Sequence, residues 1–433
     1  MRLSYWSLIR DNVPYRNLWY AQMISLMGDW FNMVALMGFV SNPKASGITD
    51  SGIYISLVLV CSFLPQFIIG PFAGIVVDRL NRKTILIISD ILRGFFVLGF
   101  LFVTPSTIWL LYALEILINS TSAFFLSSKA AILPGITRSP HELVQANAMG
   151  QTTWGLMLSV GGLLAGLVVS VFGFHTAFII NSVTYFVSAY FVRRIAIDNP
   201  YGERNHGGSD KGFNASVRNT WLDFRKGVSY ILKDRFITAL LLVKPGWAIG
   251  GGAVLTLYTV FAKDVFEVGD QGIGILFMCR GLGVLLGSVL GSFVLTRFKQ
   301  MNILIIIAGI FGLYGVFYGA FSMMTSFLLA AIMIVIATIF SSNLWLISRT
   351  TLQKIVPNEL RGRVFAHDEG LSELFMMFSA LGAGWALNIV TSPRDIAFTA
   401  AISMIVAGVI LFISVITKLI PSQPESRAHD KLH

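Results

Sequence analysis

Residues 74–83 read Gly74-Ile-Val-Val-Asp78-Arg79-Leu-Asn81-Arg82-Lys83. This stretch ends one apolar segment, at about residues 51–77, and leads into another, at about 84–104. A helix needs about 20 mostly apolar residues to cross the hydrocarbon core of a bilayer, and both segments are long enough. A short basic turn between two such segments predicts a pair of membrane-spanning helices joined on one side of the membrane.

The composition extends this prediction to the whole chain. Of the 433 residues, 55% are hydrophobic and only 12% are charged, whereas soluble globular chains are about 45–50% apolar and about 25% charged. These values argue against a soluble enzyme, a nucleic-acid-binding protein and a disordered scaffold. We predict an all-α membrane protein with twelve transmembrane helices. The predicted segments are approximately 17–40, 51–77, 84–104, 107–127, 147–170, 175–193, 236–262, 271–296, 301–322, 326–348, 369–391 and 395–418.

The basic residues are distributed unevenly between alternate loops. With the N-terminus placed in the cytoplasm, 26 of the 32 Lys and Arg residues fall on the cytoplasmic side. Three of them, Lys44, Lys263 and Arg394, fall on the opposite side. Because Lys and Arg collect in cytoplasmic loops, we predict that both termini are cytoplasmic. The net charge of +10 then reflects topology and not a nucleic-acid partner.

The sequence repeats at an offset of 217 residues, at which Pro140-x-Glu142-Leu143 recurs as Pro357-x-Glu359-Leu360. Each copy precedes the fifth segment of its half, so we predict two pseudo-symmetric six-helix halves. Transporters built in this way place the substrate site at mid-membrane, between the halves. The predicted boundaries are 1–193 for the first half, 194–235 for a cytoplasmic linker, 236–418 for the second half and 419–433 for a cytoplasmic tail.

Part of the linker has the periodicity of an amphipathic helix. Its apolar residues, Val217, Trp221, Phe224, Val228 and Ile231, fall on one helical face, with basic residues interspersed. Two interpretations are equally open. The helix either lies on the inner leaflet of the membrane or is a cytosolic helix packed on the protein's own loops.

The stretch 74–83 resembles the loop 2–3 signature of the major facilitator superfamily, G-x-x-x-D-R-x-G-R-K, and it follows the second of twelve predicted helices, as the signature does. The residues that match are Gly74, Asp78, Arg79, Arg82 and Lys83. Asn81 replaces a glycine, and because Asn tolerates the left-handed backbone conformation, we expect the turn to survive. The resemblance implies a cytoplasmic gate, in which the acidic residue caps and pairs across helix ends.

Other motifs are similar to one branch of that superfamily, the bacterial macrolide-efflux and enterobactin exporters among the drug:proton antiporters. They include residues 15–31, Leu143-Val-Gln-Ala146-Asn147 and residues 352–365. The resemblance implies a monomeric secondary transporter of the bacterial inner membrane that exchanges amphiphilic small molecules for protons. The antiporter signature of the fifth helix is partial, because its Gly-Pro step is missing. The glycines that are present are Gly155, Gly161, Gly162 and Gly166.

Polar residues follow one face of three predicted helices, the first, fourth and tenth. The three stripes are Gln22, Ser25, Asp29 and Asn32; Tyr112, Glu115, Asn119 and Ser122; and Thr338, Ser341, Trp345 and Ser348. The resemblance implies that these helices line a central cavity. Ionisable groups are costly inside a membrane and are therefore functional candidates. Asp29 and Glu115, with Glu373 as a lesser candidate, are the predicted proton carriers, and a structural, hydrogen-bonded acid is the alternative for each.

Lys244 and Arg280 are the predicted cationic counterparts, each able to pair with a carboxylate or to bind an anionic substrate. Lys244 lies near a helix end, so its side chain could instead extend to the membrane surface. Asp90 and Arg93, one turn apart, are predicted to form an internal pair or a gate contact and not a substrate site. Further residues predicted to contact substrate or to form ion pairs are Gln22, Asn32, Asn119, Trp30, Trp247 and Trp345.

The leading functional prediction is proton-coupled efflux of hydrophobic or amphiphilic small molecules by alternating access. The second is export of a siderophore or flipping of a lysophospholipid on the same scaffold, with the cationic side chains favouring an anionic cargo. The third is a polytopic membrane enzyme, which no intramembrane catalytic motif supports. Neither the cysteines, Cys61 and Cys279, nor the six histidines have metal-ligand spacing, so no metal or cofactor is predicted.

Overall fold

The computed structural model of the chain describes residues 5–48, 51–77, 79–196, 225, 227–297, 302–389 and 392–421, and no strand occurs in these ranges. Two short helices are α1 (Tyr5–Asp11) and α3 (Pro43–Ser46). The long helices of the first half are α2 (Val13–Val40), α4 (Ser51–Val77), α5 (Arg82–Gly99), α6 (Ile108–Ile136), α7 (Pro140–Phe172) and α8 (Phe174–Arg193). Those of the second half are α9 (Arg235–Val260), α10 (Gly269–Arg297), α11 (Ile303–Met323), α12 (Phe327–Ile355), α13 (Asn358–Ile389) and α14 (Pro393–Ile416).

Each of the twelve predicted segments corresponds to one long helix. Within the described ranges, eleven of these helices are long and apolar enough to cross a membrane. The remaining one, α8, has 20 residues and contains the predicted sixth segment. Asn181, Ser182 and Ser188 of α8 are buried inside the protein, so they lower the hydropathy of the helix without facing its surroundings. The predicted all-helical architecture is confirmed.

Several helices continue beyond the apolar segments that predict them. The last turns of α6 include Lys129, which lies beyond the predicted segment 107–127. The start of α13 is Asn358, whereas the predicted segment begins at 369. Hydropathy detects only the apolar part of a helix, but backbone hydrogen bonding continues into polar sequence. The extended part of α13 contains charged side chains that matter below.

The repeated Pro-x-Glu-Leu motif stands at the start of a long helix in each half, α7 in the first and α13 in the second. In α7, the Ser139 side chain accepts a hydrogen bond from the backbone N–H of Glu142 (3.2 Å), which is an N-cap. The Glu142 carboxylate accepts hydrogen bonds from the backbone N–H of Arg138 (2.7 Å) and from Asn12 Nδ2 (3.3 Å). Because Asn12 is itself the N-cap of α2, these bonds tie the starts of α2 and α7 together.

The chain divides into two compact units. The first comprises Met1–Val217 and Ala262–Gly281, and the second comprises Arg218–Phe261 and Leu282–His433. In the first unit, α2 packs on α7 and α8, α4 packs on α6, and α5 packs on α6 and α8. In the second unit, α9 packs on α13 and α14, and α11 packs on α12 and α14. Each unit therefore has its own helix–helix core.

Glycines of α7 allow the first turns of α10 to pack closely against it within the first unit. A Cβ atom at Gly166 would lie 2.8 Å from Gly274 Cα and 3.1 Å from the carbonyl oxygen of Asp270. A Cβ atom at Gly162 would lie 2.8 Å from Phe277 Cβ. Small residues of this kind let two helix backbones approach within a membrane, so the partial glycine signature has a packing role here.

We expect Gly166→Ala to destabilise the protein by about 1–3 kcal/mol, because the added methyl group meets helix backbone that cannot move aside cheaply. The change should be measured as a lower unfolding temperature of the purified protein in detergent. Gly382→Ala is the matched control, since no atom lies within 4 Å of a Cβ atom at that helical position. Equal unfolding temperatures for the two variants would contradict the close contact.

Residues 227–233, at the end of the linker, are helical and pack on α13. A Cβ atom at Gly227 would lie 2.7 Å from His367 Cε1 and 3.2 Å from Arg363 Cβ. Ile231 is buried. For this part of the linker, packing on the protein itself is therefore the better of the two interpretations. The other apolar positions of the predicted face at 217–224 lie outside the described residues.

Candidate functional site

The carboxylate of Glu115, on α6, is held by neutral hydrogen-bond donors from three helices of the first unit. Oε1 accepts hydrogen bonds from Ser62 Oγ of α4 (2.8 Å) and Asn119 Nδ2 (2.8 Å). Oε2 accepts a hydrogen bond from Asn32 Nδ2 of α2 (3.2 Å). Glu115 is only 4% exposed, and it forms no ion pair within the described ranges. We call Glu115, Ser62, Asn119 and Asn32 the Glu115 cluster.

Asp29, also on α2, lies beside a second network. Its Oδ1 accepts a hydrogen bond from the Tyr185 hydroxyl of α8 (2.5 Å). The guanidinium carbon of Arg93 lies 4.4 Å from the centroid of the Tyr185 ring and 4.3 Å from that of Phe125. Arg93 is 3% exposed and pairs with Asp90 on the same helix. Of the two predicted roles of Asp90 and Arg93, the structure shows the internal pair.

The carboxylates of the first unit differ in what balances their charge. A buried charge is costly unless it is paired, and Arg93 supplies the counter-ion for Asp90. Glu115 and Asp29 instead receive hydrogen bonds from uncharged amide and hydroxyl groups. For Glu115, which forms no ion pair in the described ranges, a proton is the simplest species that can neutralise the carboxylate. Asp29 also interacts electrostatically with Arg93 and Lys129.

Lys244 of α9 is the centre of a buried charge cluster in the second unit. Its Nζ lies 2.6 Å from Asp368 Oδ2 and 2.9 Å from Glu369 Oε1, both on α13. It also lies 4.4 Å from the centroid of the Trp345 ring of α12, a cation–π distance. Arg349 donates to the same Glu369 oxygen (3.1 Å). Lys244 and Asp368 are both 0% exposed, so the alternative that Lys244 extends to the membrane surface is wrong.

The predicted tryptophans make aromatic contacts within their own units. Trp247 and Trp345 meet edge to face, with ring centroids 5.4 Å apart and an interplanar angle of 88°. Trp30 packs against Trp154 at 6.1 Å and Phe277 at 5.7 Å. The indole nitrogens of Trp30 and Trp247 are buried and have no hydrogen-bond acceptor in the described part of the chain.

Three other predicted residues lie outside these clusters. Arg280 is partly buried, and no hydrogen bond or ion pair joins it to another described residue. Glu373 is partly buried and acts electrostatically on Lys244 without an observed hydrogen bond. Gln22 faces α7, where its side-chain amide lies 3.7 Å from a Cβ atom placed on Gly150. The structure therefore does not gather all the predicted residues into one site.

The turn of the loop 2–3 signature is held by a helix cap. Asn81 has φ −65° and ψ 111°, so the expected left-handed conformation is wrong. Its side chain accepts hydrogen bonds from the backbone N–H groups of Lys83 (3.0 Å) and Thr84 (3.2 Å) and caps α5. Asparagine is suitable here because of its capping oxygen, a role that glycine cannot fill.

The basic residues of the signature bind backbone carbonyls of neighbouring helices. Arg82 Nη1 donates to the carbonyl of Ala131 on α6 (3.0 Å), and Lys83 Nζ donates to that of Ile195 just after α8 (2.8 Å). Arg79 is exposed, and a Cβ atom at Gly74 would have open space around it. Asp78 lies outside the described residues. The described part of the motif thus ties α5 to α6 and α8.

Comparison with known proteins identifies the family. A family model described as the Major Facilitator Superfamily matches residues 18–367. The chain belongs to the major facilitator superfamily. It is 23% identical to a putative bacilysin exporter, BacE, of Bacillus subtilis (strain 168), over 95% of each chain. It is also 22% identical to macrolide efflux protein A of Streptococcus pyogenes, over 69% of this chain and 70% of that protein.

The fold is similar to that of a solved transporter. The crystal structure of the POT family transporter PepTSo has a TM-score of 0.73 to this chain, at 14% sequence identity. The match covers 94% of this chain and 98% of that one. As a member of the major facilitator superfamily, the chain is a multi-pass membrane transporter of small molecules and not an enzyme.

Four residues of the clusters in this superfamily member are not predicted from the sequence. Asp368 and Glu369 stand at the edge of a predicted segment that begins at 369, where hydropathy places a loop or a helix boundary. Ser62 stands among apolar residues of α4, without a polar stripe around it. Tyr185 does lie on a polar face of α8, with Asn181 and Ser188 at helical spacing, and this signal could have found it. A useful signal exists for Asp368, because a lysine inside an apolar helix, such as Lys244, requires an acidic partner.

Proposed function

We propose that this protein is a proton-coupled exporter of hydrophobic or amphiphilic small molecules that works by alternating access. We further propose that it is a monomer in the bacterial inner membrane with both termini in the cytoplasm. The names of two relatives, a bacilysin exporter and a macrolide efflux protein, support the outward direction. The excess of Lys and Arg on one set of loops supports the orientation.

The observation that carries the proton coupling is the environment of two carboxylates. Glu115 and Asp29 lie inside candidate membrane spans and are bonded by neutral donors from neighbouring helices. Asp90 and Asp368 are instead balanced by Arg93 and Lys244. A carboxyl held by neutral donors can be neutralised by a proton and can release it when its surroundings change. Arg93 and Lys129 act electrostatically on Asp29 and favour the release of its proton. We therefore assign proton transfer to Glu115 and Asp29, and give Glu373 a lesser role.

The test of this proposal is proton release from the purified protein on addition of compounds. In weakly buffered detergent solution, a substrate that competes with bound protons should acidify the medium in proportion to the protein present. A panel of lipophilic drugs, siderophores and lysophospholipids would identify the class of cargo. Transport into proteoliposomes that proceeds unchanged without a pH gradient would contradict proton coupling.

The second candidate is an anionic cargo, such as a siderophore or a lysophospholipid. Arg280 favours it, since this partly buried cation has no acidic partner in the described ranges. Lys244 gives weaker support to an anionic cargo, because Asp368 and Glu369 already balance its charge. Loss of siderophore or lysolipid transport in Arg280→Gln, with drug efflux retained, would favour the anionic cargo.

We expect Asp78→Asn to slow turnover more than it weakens substrate binding, because the loop 2–3 signature is assigned to a gate and not to the substrate site. Transport rate and equilibrium binding should be measured on the same preparation. Asp11→Asn is the control, because Asp11 is an exposed carboxylate that pairs with its neighbour Arg10. A normal turnover rate in Asp78→Asn would remove the motif from the proposed gate.

A further inference from the structure

Ser62 has an unusual set of hydrogen-bond contacts. Its Oγ lies 2.9 Å from the carbonyl oxygen of Val58 on the same helix and 2.8 Å from Glu115 Oε1 on α6. A serine hydroxyl has one hydrogen to donate but can accept through its lone pairs. With Glu115 ionised, both neighbours of Ser62 are acceptors, and only one of the two contacts can be a hydrogen bond at a time.

The conflict disappears when Glu115 carries a proton. The carboxyl O–H then donates to Ser62 Oγ, and the Ser62 hydroxyl donates to the Val58 carbonyl. Both short contacts are hydrogen bonds in that state. The Ser62–Glu115 bond therefore runs in opposite directions in the two protonation states, and the position of the serine hydrogen follows the proton on Glu115.

The other carboxylate oxygen of Glu115, Oε2, has a separate hydrogen-bond donor. Oε2 accepts from Asn32 Nδ2, while Asn32 Oδ1 is buried and has no partner in the described part of the chain. With the proton on Oε1, Oε2 still accepts from Asn32 Nδ2, so this hydrogen bond is the same in both protonation states. Asn32 is 6% exposed and Ser62 is 8% exposed, so water does not readily replace either contact.

We infer that Ser62 is a positioning residue that reverses its hydrogen bond when Glu115 gains or loses a proton. A change in the protonation state of Glu115, on α6, therefore changes how α4 is bonded to α6. The inference rests on the proposed role of Glu115 in proton coupling. With Glu115 ionised, the hydroxyl forms a charge-assisted bond to α6, about twice as strong as a neutral one. With Glu115 protonated, the hydroxyl is engaged by the backbone of α4, and the link between the two helices weakens.

Groups from four helices face Glu115 and must be considered in any pH experiment. They are Asp29 and Asn32 of α2, Cys61 and Ser62 of α4, Asn119 of α6 and Tyr185 of α8. Asp29 is the other carboxyl among them, so each measurement is made with Asp29 present and again in the Asp29→Asn background. An effect that belongs to Ser62 persists in both.

The experiment is an infrared pH titration of the purified, full-length protein in lipid. The carbonyl stretching band of protonated Glu115 is assigned by its absence in Glu115→Gln. In Ser62→Ala, we expect the frequency of that band to rise, because the acid loses a hydrogen-bond acceptor. The pH midpoint of the band should rise by about one unit, because the ionised form loses the stronger bond. Ser62→Thr, which keeps the hydroxyl, should restore both values.

Ser56→Ala is the matched control, since it removes a buried hydroxyl from the same helix that bonds the carbonyl of Gly52. It should leave the Glu115 band unchanged. An unchanged band in Ser62→Ala, or no protonated Glu115 at any pH at which the protein stays folded, would overturn the inference. Failure of the proposed function is distinguishable, since Glu115→Gln would then retain transport driven by a pH gradient whatever the infrared result for Ser62.

Discussion

Transport driven by a pH gradient should stop when Asp29 is replaced by Asn, and the protein should remain folded. Asn keeps a carbonyl oxygen where Asp29 Oδ1 accepts the Tyr185 hydroxyl at 2.5 Å, so the packing of α2 on α8 is preserved. Arg93 keeps its own partner, Asp90, although Arg93 and Lys129 both lose the electrostatic attraction of Asp29. The substitution therefore removes the titrating group while its hydrogen bond to Tyr185 is kept. The measurement is substrate accumulation in proteoliposomes with an imposed pH gradient.

A second assay separates coupling from binding. Substrate exchange between the two sides of the membrane at equal pH needs binding and alternating access but no net proton movement, so it should continue in Asp29→Asn. Asp395→Asn, which removes an exposed carboxylate at the start of α14, should leave both assays unchanged. Full gradient-driven accumulation by Asp29→Asn would exclude Asp29 as a proton carrier, and loss of both assays would point to a structural role.

Local patterns in the sequence are sufficient to predict the long helices and the contacts between residues of one helix. The pair of Asp90 and Arg93 can be predicted because residues three apart face the same side of a helix. The polar stripes include Asn32, Glu115 and Asn119, and the structure brings these three side chains together in one cluster. The fourth member of the cluster, Ser62, cannot be predicted in this way. Its contact with Glu115 depends on the packing of α4 on α6 and not on the spacing of residues within one helix.

Contacts between distant segments and the ends of helices cannot be predicted from local sequence patterns. Lys244 is recognisable as an intramembrane cation, but its partner Asp368 stands on the polar extension of α13, where hydropathy predicts a loop. Asn81 is recognisable as a departure from the signature, but its role could not be predicted. Its side chain caps α5, and its backbone is not left-handed. In both cases, the deciding factor is hydrogen bonding or charge pairing formed only in the packed protein.

Lys244→Met should be among the most destabilising single substitutions in the second unit. It removes the ammonium from Asp368 and Glu369 together, and Asp368 is 0% exposed. Breaking a buried pair by removing one partner costs about 3–5 kcal/mol, because an uncompensated charge remains. The free energy of unfolding should be measured in detergent by denaturant titration. Arg10→Met, which breaks an exposed pair with Asp11, is the control and should have no measurable effect.

The free energies of unfolding of related variants distinguish a contribution from charge pairing from one due to packing. Asp368→Asn should be milder than Lys244→Met, since Lys244 retains Glu369 at 2.9 Å. Replacing a buried pair by apolar residues is often neutral, so Lys244→Met combined with Asp368→Leu should recover most of the lost stability. If the double variant is instead as unstable as the sum of the single ones, the two side chains act independently. The contact of Lys244 with the Trp345 ring would then be the larger contribution, and the cluster would stabilise α9 by packing and not by charge.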